Sequence, residues 1–191
     1  VLDPASPLEA RAMIKTAFEI SEEFQVPVLV RPAIRICHAR QNIAYEELKS
    51  NPTPAVFKRE PTRWASTPKF RFLQHKALNE KHLQIAEKFN TLVPYNRHTI
   101  QPEQRFALGI VVGGVPSTVV SDLCAEFDRT DIPLLKLGAP YPFPEQLASQ
   151  FMDACDRVLV IEETDTVIEY MLRDRHKTWG RLTGHVPMEG E

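Results

Sequence analysis

The sequence lacks a charge excess, a long apolar run and a paired set of cysteines, and each lack excludes a class of protein. Its 23 basic and 25 acidic residues leave a net charge of -2, so no overall field directs the chain to nucleic acid or a membrane surface. No apolar run reaches the roughly 20 residues that cross a bilayer, and no signal peptide opens the chain. Cys37, Cys124 and Cys155 form no C-x-x-C pair, which favours buried thiols in a reducing cytosol. We expect a cytoplasmic protein with no nucleic-acid or membrane partner.

The composition is that of a folded α/β protein. Of the 191 residues, 43% are hydrophobic and 25% are charged, which is close to the average for globular chains. This length accommodates one medium domain, or one domain with part of a second. Because the chain opens at Val1 rather than Met, we expect it to be a piece of a longer protein.

The first 40 residues predict one helix followed by one strand. Ser6, Pro7 and Glu9 form a capping box with proline at the first helical position, and apolar residues recur at helical spacing as far as Phe24. The β-branched segment 28–36 predicts a mostly buried strand, with Pro32 indicating a sheet edge or a bend.

Residues 44–105 predict an extended connector that carries one helix. Prolines at positions 52, 54, 61 and 68 interrupt regular structure, whereas residues 72–89 have the spacing of an amphipathic helix. Basic residues here interleave with Trp64, Phe70 and Phe72, a pattern that also occurs in single-strand binders. The prolines and the net negative charge make packing between domains the favoured interpretation.

From residue 106 onward, strands and helices alternate. Strands are predicted at 106–112, 132–137 and 157–161, with helices at 117–127, 144–154 and 164–174, the last capped by Thr164. This alternation predicts a mostly parallel sheet with flanking helices.

Ligands of such sheets bind where the strands end, so the turns after the strands hold the first candidates. The turn at Gly113 and Gly114 would leave backbone amides available to bind an anion, although a tight strand-to-helix turn is the favoured interpretation. Glu162, Glu163 and Asp165 would provide a general acid or base, but acidic groups also complement a helix dipole, which we favour.

Two further segments are candidates for contacts outside the sheet. Arg35 and His38, with Arg40, would hold an anionic substrate or the carboxylates of a neighbouring domain, although a solvated cationic face is favoured and Cys37 with His38 lacks the further ligands of a zinc site. The turn 138–144 contains two aromatic residues, Tyr141 and Phe143. They either cap the sheet or contact another domain, and contact with another domain is slightly favoured.

Several short sequence segments occur in the order found in one enzyme family. They are Pro27-Val28-Leu29-Val30-Arg31, the arginine-x-x-histidine of Arg35 and His38, Gly113-Gly114, Leu135-Lys136-Leu137-Gly138, Tyr141-Pro142, and Val158-Leu159-Val160-Ile161-Glu162-Glu163. In this order the chain resembles the large subunit of indolepyruvate ferredoxin oxidoreductases, which are thiamine-diphosphate-dependent 2-oxoacid:ferredoxin oxidoreductases. The chain departs from the family at Ala33, Ile34 and Cys37, where threonines and a serine are usual.

The resemblance implies three parts. Residues 1–43 would be the last helix and strand of a pyrimidine-binding domain, 44–105 a connector, and 106–191 a transketolase C-terminal-like domain. Thiamine diphosphate, magnesium and iron-sulfur clusters would be bound elsewhere in the full subunit, and the cofactor-activating glutamate would precede Val1. Arg35, His38, Gly113 and Gly114 remain the candidates for cofactor contacts in this chain, with no catalytic or metal-binding residue expected.

The resemblance also implies the reaction. The full enzyme would oxidatively decarboxylate an aryl 2-oxoacid such as indolepyruvate to the acyl-CoA and reduce ferredoxin, with a smaller second subunit as partner. This chain would be its non-catalytic middle portion and inactive alone. Two alternatives are a free-standing module that binds an anion at Gly113 and Gly114, and a pure interaction domain that forms homodimers.

Overall fold

The fold combines a short sheet with helices on both of its faces, and is described from a computed structural model. The structure describes residues 1–47 and 55–189. Positions 48–54 of the predicted connector, including the prolines at 52 and 54, and the last two residues lie outside the described residues.

Twelve elements are described, and the helices include three of only four or five residues. In chain order they are α1 (Pro7–Phe24), α2 (Ile34–His38), α3 (Pro61–Trp64), α4 (Pro68–Asn90), β1 (Asn96–His98), β2 (Phe106–Val112), α5 (Pro116–Glu126), β3 (Leu134–Leu137), α6 (Glu145–Ala154), β4 (Cys155–Ile161), α7 (Ile168–Met171) and β5 (Thr178–Trp179).

The five strands form one sheet in the order β1-β3-β2-β4-β5. Strand β1 pairs antiparallel with β3, and the other three pairings are parallel. The predicted α/β class, with a mostly parallel sheet and flanking helices, is therefore confirmed. Alternation along β2 sends Val111 to one face and Ile110 and Val112 to the other.

Each face of the sheet has its own core. Phe151 and Met152 of α6 pack with Val111 and Leu137 on one face, and α7 adds Ile168. On the other face, Val120 of α5 packs with Ile110 and Val112. The strands are apolar on both sides because both sides are covered.

A third core joins the first helix to the sheet. Met13 and Ile20 of α1 pack with Ile85 and Phe89 of α4. The predicted N-terminal cap is present: the Glu9 amide donates to Ser6 Oγ over 3.2 Å, and α1 begins at Pro7. The Glu9 carboxylate accepts from the Ala5 amide over 2.7 Å, one residue before the position that a capping box uses. The first segment thus packs on α4, within the predicted connector, and through Ala139 on the chain that follows the connector.

Three predicted elements need correction. The strand at 28–36 is wrong, because only Val30 makes a bridge, to Leu2, and Ile34–His38 is a helix that begins soon after Pro32. The helix at 164–174 is only α7, and Thr164 is not its cap. The connector contains α3 and β1 besides the predicted helix, which extends over Pro68–Asn90.

Candidate functional site

The carboxyl ends of three parallel strands meet at one edge of the sheet, which we call the carboxyl edge. In the register, Val112 of β2 is opposite Lys136 of β3 and Ile161 of β4. The turns that follow these strands therefore lie side by side, as the position of a ligand site in this fold requires.

The beginning of the chain crosses this edge. Leu2 donates its amide to Leu29 and accepts from the amide of Arg31, both over 2.8 Å, and the Asp3 amide donates to the Gly138 carbonyl over 2.7 Å. These bonds fix the first residues and the segment after α1 against the turn that follows β3. Two segments far apart in sequence thus cover the strand ends.

One ion pair joins the two covering segments to each other, and a second joins them to the edge. Arg31 donates to Asp3 over 2.8 Å and also reaches the Glu163 carbonyl over 3.4 Å, and Arg35 Nε lies 3.4 Å from Glu163 Oε1. Burial raises the pKa of the Asp3 carboxyl, against the opposing effect of its bond from Arg31. A third pair, between Lys136 and Glu9, joins β3 to the start of α1.

Glu162 takes the capping role that the sequence assigned to Thr164. Its carboxylate accepts from the amides of Val167, Ile168 and Glu169 over 2.9, 2.7 and 2.9 Å. Burial raises the pKa of the Glu162 carboxyl, while these three bonds lower it. A side chain from the preceding strand end thus stabilises the start of α7, as the favoured helix-dipole interpretation expected for this acidic cluster.

The Gly113–Gly114 turn faces a carboxylate that the chain itself supplies. Gly114 has a φ of 57°, which favours glycine, and a Cβ placed there would lie 3.1 Å from Asp3 Oδ2. At Gly113 a Cβ would lie 2.5 Å from Cδ1 of Ile168. Close packing and backbone conformation account for both glycines, and the negative charge of Asp3 opposes a further anion here.

The cationic candidates differ in their contacts. Arg35 lies at the edge through its pair with Glu163, whereas the His38 side chain is exposed at the end of α2 and has no hydrogen bond among the described residues. Cys37 is also exposed, while Cys124 is partly buried and Cys155 is buried, so the expectation of buried thiols is wrong for Cys37. Burial raises the pKa of the Cys155 thiol to about 11.

A cavity of about 260 Å³ opens beside the edge. Arg31, Glu162 and Glu163 line it together with apolar side chains, including Leu29 and Tyr141. Tyr141 is 44% exposed and meets the ring of His82 edge-on at 6.0 Å, whereas Phe143 packs on the α6 core. Of the two aromatic residues in this turn, Phe143 caps the sheet and only Tyr141 remains open to a partner.

Several residues that organise this region were not predicted from sequence patterns. Asp3 and Arg31 pair across 28 positions, and the buried Asn96 side chain bonds to Phe89 and Ala139. No local pattern marks a polar residue whose partners are distant in sequence. Arg31 lies within one of the sequence segments that resemble the family, but no sequence feature distinguished it from a surface arginine.

Among the described residues, no group of three histidine, cysteine, aspartate or glutamate side chains is arranged to hold a metal ion. The described helices likewise include none whose length and hydropathy would let it span a bilayer.

Comparison with known proteins gives a consistent set of relatives, although no protein-family model matches the chain. It is 34% identical over 197 residues to the indolepyruvate oxidoreductase subunit IorA of Thermococcus kodakarensis, with 100% of this chain and 29% of that protein covered. The subunits of the same name from Methanothermobacter marburgensis and Pyrococcus abyssi are 32% and 33% identical, over 88% and 91% of this chain, each with 27% of the relative covered. The chain therefore spans less than a third of the length of these relatives.

A 2-oxoglutarate:ferredoxin oxidoreductase from Magnetococcus marinus has a TM-score of 0.45 to this structure. Its sequence identity is 14%, and the match covers 60% of this chain and 20% of that one.

Proposed function

The chain is a homologue, over its full length, of one segment of indolepyruvate oxidoreductase subunit IorA, and from this premise we propose that it is the non-catalytic middle portion of such a subunit. The observation that carries the proposal is the 34% identity across 100% of the chain with only 29% of the relative covered. In this role the chain positions neighbouring parts of the subunit instead of performing chemistry.

For the complete enzyme we propose oxidative decarboxylation of an aryl 2-oxoacid, such as indolepyruvate, to its acyl-CoA with reduction of ferredoxin. Thiamine diphosphate, magnesium and iron-sulfur clusters would be its cofactors, and a smaller second subunit would be its partner. When bound, thiamine diphosphate supplies the carbanion chemistry of decarboxylation. The relatives' name, indolepyruvate oxidoreductase, supports the reaction class.

The described residues of this chain give little support for a cofactor site. No three histidine, cysteine, aspartate or glutamate side chains among them are arranged to hold a metal ion. The Gly113–Gly114 turn, which would be the phosphate cradle, faces the carboxylate of Asp3. We therefore derive no catalytic step through a cofactor in this chain, and the free-standing anion-binding module becomes the weaker proposal.

The residues of the carboxyl edge support a structural role. Charged side chains pair with one another here, Arg31 with Asp3 and Arg35 with Glu163. These ion pairs hold the first 40 residues over the strand ends. We propose that these 40 residues, assigned by resemblance to the end of a pyrimidine-binding domain, hold that domain in a set orientation to the sheet. The division into 1–43, 44–105 and 106–191 is part of this proposal.

Calorimetric titration with magnesium and thiamine diphosphate tests the proposal. We expect heat of binding from the complete Thermococcus kodakarensis subunit and none from this chain at the same protein concentration. Circular dichroism of the chain before and after titration checks that it is folded. Saturable binding by the folded chain would contradict the proposal and return the Gly113–Gly114 turn to the list of ligand sites.

A further inference from the structure

The first three residues form an extended strand between two parts of the chain. The Val1 ammonium donates to the Tyr141 carbonyl over 2.6 Å, and the Asp3 amide donates to the Gly138 carbonyl over 2.7 Å. The amide of Leu2 points the opposite way, to the segment after α1. Backbone N–H groups that alternate in direction are typical of a strand with a neighbour on each side.

The pairing of Leu2 with the segment after α1 is parallel. The Leu2 amide donates to the Leu29 carbonyl and its own carbonyl accepts from Arg31, which places Leu2 opposite Val30. In a parallel ladder, the next bond upstream joins the Leu29 amide to the carbonyl of the residue directly before Val1. Among the described residues, the Leu29 amide makes no hydrogen bond. The backbone is therefore arranged for the pairing to continue beyond Val1.

An apolar cavity of about 270 Å³ lies beside this continuation. Because side chains alternate along a strand, the residue before Val1 would share a face with Leu2 and lie opposite Val28. Leu2 is fully buried, and Val28 packs on the same core. The cavity is lined by Val28 and by other side chains of this core, among them Ile20, Val26, Ile85 and Phe89. An apolar side chain before Val1 would enter the cavity and extend the core.

The charge at Val1 favours a peptide bond in its place. Burial lowers the pKa of the Val1 ammonium, because an apolar surrounding disfavours the charged form. A backbone amide would donate to the same Tyr141 carbonyl without a buried charge. The relatives supply the chain for such a continuation, since the match covers only 29% of the first of them.

We propose that in the complete subunit the residue directly before Val1 is apolar, fills this cavity, and accepts a hydrogen bond from the Leu29 amide through its carbonyl. The occupant of the cavity is then a strand of the same polypeptide, and a small apolar ligand has no room beside it. This inference rests on the proposed function, which makes the chain a middle portion of a longer subunit. It gives the positioning role a specific contact, namely a parallel strand pair that joins the preceding part of the subunit to the segment after α1.

Hydrogen exchange followed by nuclear magnetic resonance tests the backbone pairing. The chain is extended before Val1 by serine, glycine and then leucine, and is compared with the chain without the extension. We expect the protection of the Leu29 amide to rise at least roughly tenfold in the extended chain. The Val28 amide is the matched control, because it faces the other edge of the same segment and its exchange stays unchanged.

Urea unfolding tests the side chain. Two further extended chains carry alanine or aspartate in place of the added leucine. All three extensions move the ammonium away from Val1, so differences among them report the added side chain alone. We expect the unfolding midpoint to be highest with leucine, lower with alanine and lowest with aspartate, because the cavity is apolar.

Three outcomes overturn the inference: a Leu29 amide that exchanges equally with and without the extension, midpoints that do not fall in this order, or a charged residue directly before Val1 in the complete subunit. The measurements on extended chains use no cofactor, so their failure leaves the calorimetric test of the proposed function intact. Cofactor binding by the chain itself would instead contradict the proposed function while the exchange of the Leu29 amide could still be measured.

Discussion

Asp3 and Glu162 are buried carboxylates whose titration links the stability of the fold to pH. Burial raises the pKa of both above their ordinary values of 3.8 and 4.5. The folded chain therefore binds these protons more tightly than the unfolded chain does. The resulting stabilisation is fully present below the ordinary values and is lost as pH rises through the raised pKa values.

We predict that Asp3→Asn/Glu162→Gln makes the free energy of unfolding less dependent on pH. Urea unfolding of the wild type and the variant, from pH 3.5 to neutral, measures this dependence through the midpoints. The control is Asp131→Asn: Arg129 lowers the pKa of that exposed carboxyl, so its removal changes the slope in the opposite direction. An unchanged slope in the double variant would show that neither carboxyl has a raised pKa.

Gly109 lies where β2 contacts α6 with no room for a side chain. A Cβ there would lie 2.6 Å from Cys155 Sγ and 2.8 Å from the Phe151 ring. We predict that Gly109→Ala lowers the free energy of unfolding by about 1–3 kcal/mol, through overpacking of the core. Thermal and urea unfolding measure the loss.

The comparison for Gly109→Ala is Gly184→Ala. Gly184 has open space around it and a φ of 74°, so its substitution costs only backbone strain, about 1–2 kcal/mol. Introducing Phe151→Leu beside Gly109→Ala makes room for the new methyl group. Recovery of part of the stability would attribute the loss to crowding, and a loss that grows further would contradict that cause.

At the scale of elements, apolar periodicity predicted the sheet well and the short elements poorly. The predicted strand 106–112 matches β2, and the predicted helix 144–154 differs from α6 by one residue, because both bury long apolar patterns. Helices α2 and α7 have five and four residues, too few for a periodic signal. Strand β1 contains Asn96, Arg97 and His98, which carry no strand signal and pair only because β3 offers a free edge.

The position of the candidate site could be predicted from the sequence, but the side chains that pair there could not. The rule that sites lie at strand ends led to Gly113, Gly114 and Glu162, and the structure brings these residues to one edge. The partners of that edge come from positions 3, 31 and 35, and pairs across such distances leave no local pattern. The acidic cluster was expected to complement a helix dipole, but Thr164 was named as the cap, because the capping carboxylate of Glu162 lies five to seven residues before its donors.

Asn96 connects the end of α4 to the turn after β3. Its amide donates to the Phe89 carbonyl over 2.9 Å and to the Ala139 carbonyl over 3.1 Å, and its Oδ1 accepts from the Ala139 amide over 2.8 Å. We predict that Asn96→Ala costs about 2–4 kcal/mol, because three buried backbone groups lose their partner. Chemical unfolding measures the loss.

Asn90→Ala is the comparison for Asn96→Ala. The Asn90 side chain accepts from the amides of Gln146 and Leu147 at the start of α6, so its loss removes an N-terminal cap and costs about 1 kcal/mol. The exposed Asn79→Ala serves as the neutral control. If Asn96→Ala cost no more than Asn90→Ala, the buried bonds of Asn96 would contribute little to stability.

At the scale of the whole molecule, the described parts of the chain share a core across the proposed domain boundaries. Met13 and Ile20 precede the connector, Ile85 and Phe89 lie within it, and Ala139 follows it. A segment whose buried side chains pack in another segment's core is not expected to unfold separately. We therefore expect residues 1–43 to unfold together with the sheet.

Met13→Ala tests this expectation because it creates a cavity in the shared core, where Met13 is fully buried. We predict a loss of about 2–4 kcal/mol. Urea unfolding is followed by the fluorescence of Trp179, in β5, with Trp64→Phe removing the other tryptophan. The Trp179 midpoint should fall together with the midpoint of the far-ultraviolet circular dichroism. Ile14→Ala, which truncates a half-exposed side chain of the same helix, is the matched control. If Met13→Ala left the Trp179 midpoint in place, the first segment would be an independent unit, and its ion pairs with the carboxyl edge would not couple it to the sheet.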